Sequence, residues 1–122
     1  MHWKFDSSAP IYAQLVRHIQ EAIVSGEFAP GDRLPSVRDM AMEAGVNPNT
    51  MQRALTELER DGLVYSQRTA GRFVTENTQI ISETRDALAD AHIRQFLSAM
   101  AHLGYEHSSI LTLLEQNAEK EV

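Results

Sequence analysis

The side chains of this 122-residue chain that could do chemistry are amides, hydroxyls and guanidinium groups, crowded into a short stretch. Asn47, Asn49, Thr50, Gln52 and Arg53 all fall within the run Val46-Asn47-Pro48-Asn49-Thr50-Met51-Gln52-Arg53-Ala54-Leu55. Asn, Thr, Gln and Arg hydrogen-bond base edges, so on the first turns of a helix they are suited to reading nucleic acid. The free N–H groups of a helix N-terminus also favour an anion. Arg68 and Arg72 bracket a turn at Thr69-Ala70-Gly71 and make its tip basic. Catalytic groupings do not emerge. The chain has no Gly-x-Ser-x-Gly nucleophile motif and no glycine-rich phosphate loop. Without cysteine, disulfides, thiol chemistry and Cys-ligated zinc are excluded. His92, His102 and His107 lie near Asp86, Asp90 and Glu106. On one helix, however, His92 and His102 stand about 80° apart around the axis and about 15 Å along it, too far to share an ion. The expectation is a binding protein with no metal, no cofactor and no enzymatic activity.

Local signals place the elements that hold these residues. Asn47 reads as a helix N-cap with Pro48 at the first helical position, where its missing N–H costs nothing. Met51, Ala54, Leu55 and Leu58 then form one apolar stripe and leave Asn49, Thr50, Gln52, Arg53 and Glu57 on other faces. Upstream, Pro35 and Ser36 open a helix that runs to Ala44, with Asp39 completing an approximate capping box and Gly45 ending it. Two short helices joined by a tight glycine turn are the signature of a helix-turn-helix. After Gly62, the segments Leu63–Gln67 and Arg72–Val74 read as a hairpin around the basic tip, with Leu34 adding a short strand. Before all this, a helix from Pro10 to Ser25 carries Ile11, Leu15, Ile19 and Ile23 in register, widened by Tyr12, Val16 and Ala22. Trp3 and Phe5 are expected to pack on the domain.

This arrangement closely resembles the GntR family of bacterial winged-helix repressors. The resemblance rests on Pro10-Ile11-Tyr12-Ala13-Gln14-Leu15, Gly31-Asp32-Arg33-Leu34-Pro35-Ser36-Val37-Arg38, Val46-Asn47-Pro48-Asn49-Thr50, Arg53-Ala54, Leu58-Glu59-Arg60-Asp61-Gly62-Leu63-Val64 and Gly71-Arg72-Phe73-Val74. The Val-Asn-Pro-Asn-Thr form and the short tail are similar to the YtrA-like subfamily in particular. One departure lies in the wing, where the family usually has Gly-x-Gly and this chain has Thr69-Ala70-Gly71, which implies a tip that is stiffer or sits differently on DNA. The resemblance implies operator contacts by Arg38, Asn49, Thr50 and Arg53, with Arg68 and Arg72 on the wing, Asn47 and Gln52 in support, and Arg33 in a motif position. Ser36 would touch phosphate as well as cap its helix. The first helix would be scaffold, and the regulated operon would encode transport proteins.

Net charge is −6, which runs against the cationic character of most DNA binders. Its distribution resolves the conflict: residues 1–75 carry a net −1 and residues 76–122 a net −5. The acid sits in the tail, while the motif arginines gather in the head. From Thr78 no Gly or Pro occurs until Gly104, so a helix of about 26 residues, some 39 Å long, is expected. A second helix follows around Ile110–Leu114. Leu88, Ile93, Phe96, Leu97, Met100, Leu103, Ile110, Leu111, Leu113 and Leu114 carry more apolar surface than one helical hairpin hides, so these are the expected homodimer contacts.

The predicted fold is mainly α with a small β-hairpin wing: a winged helix-turn-helix head at 1–75 and a helical dimerisation tail at 76–122. The predicted function is a sequence-specific transcriptional regulator, a repressor, bound as a homodimer to double-stranded DNA at a palindromic operator. Two alternatives stand beside it. One is a winged helix used as a protein-interaction module. The other is a minimal sensor with a small-molecule effector at the dimer interface, where Phe96, Met100 and Tyr105 would be walls. No apolar run is long enough for a membrane span and no leader is evident, so a cytoplasmic location is expected.

Overall fold

Prolines, glycines and capping side chains set the element boundaries in the computed structural model, which describes residues 1–120. Helix α1, Ile11–Val24, begins after Pro10 and ends where Ser25 and Gly26 turn the chain. It buries Leu15, Val16, Ile19, Ala22 and Ile23; Ile11, expected in the same stripe, lies exposed in the first turn. Helix α2, Val37–Ala44, is capped by Ser36, whose Oγ accepts the Asp39 N–H at 3.1 Å. Only this half of a capping box forms among the described residues, since the Asp39 carboxylate is one methylene shorter than Glu. Gly45 closes α2 in the left-handed region at φ 71°, a conformation that a side chain would strain. Helix α3, Pro48–Arg60, starts three residues later, with Asn47 Oδ1 accepting the Asn49 N–H at 2.8 Å.

Strands β1, Val64–Gln67, and β2, Gly71–Val74, pair antiparallel with Val64 opposite Val74 and Gln67 opposite Gly71. The strand expected near Leu34 takes the form of a strip along β2. Gly31 N–H donates to the Val74 carbonyl at 3.0 Å, Val74 N–H to Asp32 at 2.8 Å, and Leu34 N–H to Arg72 at 2.9 Å. Arg33 and Phe73 form the bridge between them.

The core of this unit joins Leu15, Ile19 and Ile23 of α1 to Met40 of α2, Met51, Leu55 and Leu58 of α3, and Leu63, Val64 and Val74 of the wing. Burial of each such side chain contributes about 1.5–3 kcal/mol, and the i, i+3, i+4 spacing of α3 is what aims them inward. Trp3 and Phe5 pack against this core as expected, with the His18 ring 5.6 and 5.5 Å from theirs. His18 Nε2 donates to the Lys4 carbonyl at 2.8 Å, which holds the leading segment on α1.

Helix α4, Thr78–His102, matches the expected long helix, and α5, His107–Lys120, follows it. Ile81 is buried, Ile80 packs beside it, and Arg85 Nη2 donates to the Val24 carbonyl at 3.0 Å. For that reason the first compact unit is Met1–Asp86, reaching past the boundary expected at Thr75, and the second unit begins at Ala87. The fold is mainly α with a small β-hairpin wing, as predicted. No helix among the described residues is long and apolar enough to cross a membrane.

Candidate nucleic-acid interface

Because Met51, Ala54, Leu55 and Leu58 are buried, the opposite face of α3 is set by its 100° per residue rotation: Asn49, Gln52, Arg53 and Thr56 point away from the core. All four are exposed, whereas Thr50 lies toward the flank and is half-buried. Thr56 is a member of this row that the sequence reading did not single out. It bonds within the row, accepting from Gln52 Nε2 at 3.3 Å and donating to the Gln52 carbonyl at 2.9 Å. Its spacing, four residues after Gln52 and seven after Asn49, was the available signal. Asn47 spends its side-chain oxygen on the cap, and Ser36 does likewise on α2.

The arginines divide into free and committed. Arg33, Arg38, Arg53 and Arg68 are exposed, and none of them forms an ion pair among the described residues. Arg38 stands on α2 and Arg68 at the hairpin tip. Arg33 crosses the wing so closely that a Cβ added to Gly71 would lie 3.2 Å from its Nε. Gly71 also sits at φ 106°, a backbone conformation that favours glycine, whereas a Cβ there would ask the Arg33 side chain to shift by only a few tenths of an ångström.

Arg72, expected to meet DNA, is instead held inward. Its Nε donates to Glu59 Oε1 at 2.7 Å and its side chain is only 21% exposed. The Ser66 hydroxyl donates to the same carboxylate oxygen, so one acid near the end of α3 ties both wing strands to the helix. The Ser66 hydroxyl first, and the Arg72 guanidinium after it, hold the Glu59 carboxyl below its ordinary value against the opposing effect of burial. The sequence places Glu59 away from the reading end without revealing this anchor. Between α2 and the wing, Arg33, Pro35, Ser36, Val37, Asp39 and Arg72 line a groove of about 620 Å³.

Arg53 has a different neighbour. Its guanidinium carbon lies 3.5 Å from the centre of the Tyr12 ring, a cation–π stack between α1 and α3. In the sequence, Tyr12 stands only as a member of the apolar stripe of α1.

In the second unit, Ile93, Phe96, Leu97, Ile110, Leu111 and Leu114 line a groove of about 600 Å³ together with His92 and His107. Leu111 is 62% and Leu103 71% exposed, and Ile93, Phe96 and Leu114 are also exposed. Leu88, Leu97, Met100 and Leu113 are half-buried. Ile110, at 3%, is already buried within the chain, leaving its neighbours to meet any partner.

Residues 11–74 match the family model described as bacterial regulatory proteins, gntR family. The chain belongs to the GntR family. Among its relatives, the HTH-type transcriptional repressor YtrA of Bacillus subtilis is 38% identical, over 70% of this chain and 74% of its own. A GntR family transcriptional regulator from Listeria monocytogenes superposes with a TM-score of 0.83 at 38% identity, covering 92% of this chain and 98% of that one. The DNA-binding domain of AraR, solved in complex with operator ORR3, superposes with a TM-score of 0.54 at 28% identity over 62% of this chain and 90% of its own. This GntR protein is therefore a winged-helix transcriptional regulator of the YtrA type, a DNA-binding factor in a family of regulators and not of enzymes.

Proposed function

We propose that this GntR protein is a repressor that binds an inverted-repeat operator as a homodimer. The observation that carries the reading is the α3 face itself: an exposed amide, hydroxyl and guanidinium row flanked by Arg33, Arg38 and Arg68, none with an acidic partner among the described residues. Asn49, Gln52 and Arg53 are assigned to base edges and nearby phosphates, with Thr50 and Asn47 at their margin. Arg38, Arg33 and Ser36 are assigned to the backbone beside α2, and Arg68 to the backbone beneath the wing. Arg72 belongs to this interface through the wing that it braces. The relatedness to a YtrA repressor supports repression. Association is assigned to the second unit, whose exposed Ile93, Phe96, Leu103, Leu111 and Leu114 would be covered by the same face of a second copy. A small-molecule inducer, if the protein has one, would act between subunits by changing the separation of the two reading heads.

Selection of bound sequences from random double-stranded DNA tests this directly. An enriched inverted repeat, with affinity that falls steeply as salt rises, is the expected result. Enrichment of a single half-site, or of nothing, would overturn the dimeric operator reading.

A further inference from the structure

We propose that Tyr12 is a positioning residue for DNA recognition, acting through Arg53; this rests on the DNA-binding reading of the α3 face. A guanidinium carries five N–H donors, all in its plane, and its two faces carry none. A ring stacked at 3.5 Å on one face therefore takes no donor and leaves the charge intact. Arg53 makes no ion pair or hydrogen bond among the described residues, so the whole fork stays available. Arg72 shows the opposite use of the same group, with its Nε–H donated and its charge balanced by Glu59. The stack restricts the long, flexible Arg53 side chain before DNA arrives. An arginine ordered in advance loses less freedom on binding than one that samples solvent. Tyr12 stands at the start of α1 and Arg53 near the start of α3, so the ring also fixes the fork relative to a helix that carries none of the reading row.

The test uses the full chain and a duplex enriched from random DNA, with affinity read by fluorescence anisotropy. Tyr12→Phe keeps the ring and should bind as the unaltered protein does. Tyr12→Leu should bind about three- to tenfold more weakly. In an Arg53→Ala background, Tyr12→Leu should cost nothing further, because the ring acts only through that guanidinium. Equal losses from Phe and Leu, or a full additional loss in the Arg53→Ala background, would overturn the proposal while leaving the DNA-binding reading intact. If no duplex is enriched, it is the DNA-binding reading that has failed. Should Tyr12→Leu prove unfolded, the unaltered free protein still decides: ring stacking must shift the Arg53 side-chain proton resonances upfield. Random-coil positions for them would overturn the proposal.

Discussion

Two arginines expected to meet DNA have opposite surroundings. Arg53 is exposed, stacked and uncompensated, whereas Arg72 is braced against Glu59. Arg53→Ala should leave the fold intact, with at most a small fall in unfolding temperature from the lost Tyr12 stack, and weaken operator binding by about 1–3 kcal/mol, measured by titration at moderate salt. Arg38→Ala should act in the same direction and exceed Arg17→Ala, since Arg17 lies on α1 with Glu21 at 3.6 Å. Arg72→Ala should show the reverse balance. It leaves a partly buried carboxylate with one hydroxyl donor, so about 1 kcal/mol of stability should be lost, and binding should suffer through the wing. Glu59 also gives the wing a pH dependence. Because its folded-state pKa lies below the unfolded value, its contribution is fully present above the ordinary Glu range and is lost as pH falls through the lowered value. Acid unfolding of Glu59→Gln should therefore be less steep than that of the unaltered protein. Identical acid profiles would remove Glu59 as the anchor.

At the scale of elements, Asn47→Ala should cost about 1 kcal/mol in thermal unfolding by freeing the Asn49 N–H at the first turn of α3. An unchanged midpoint would show that Pro48 alone sets the helix start. The helix-turn-helix was legible in the sequence because its signals are local. Ser36, Gly45, Asn47 and Pro48 each act within three residues of the boundary that they define. The hairpin was legible for the same reason, through Gly62 before it and the turn at Thr69-Ala70-Gly71 between its two short strands. Contacts between distant segments left no such mark. Tyr12 reads as one more apolar stripe residue, and Glu59 as one more solvated acid, because stacking and ion pairing depend on where other helices come to lie. Arg72 reads as a DNA contact from its type and position, and only the fold adds the carboxylate beside it.

At the scale of the molecule, association is tested by cutting the chain. The cut is best placed after Asp86, since Ile80 and Ile81 serve the core and Arg85 bonds Val24. Residues 1–86 should fold and sediment as a monomer, with affinity for a palindromic duplex lowered by orders of magnitude as the two half-sites lose their linkage. In the intact chain, Phe96→Asp should have the same effect by placing an unpaired charge in the buried contact. A dimer persisting in either case would move the interface elsewhere. The strip along β2 bears on how the molecule comes to exist at all. Arg33 bridges Phe73, forty residues further along, and both helices of the reading motif lie inside the loop so closed. A chain emerging from the ribosome therefore exposes α2 and α3 before the strand that seals them has been made. Closing this loop is one of the long-range steps of folding, which makes the β2 strip a candidate for the rate-limiting event.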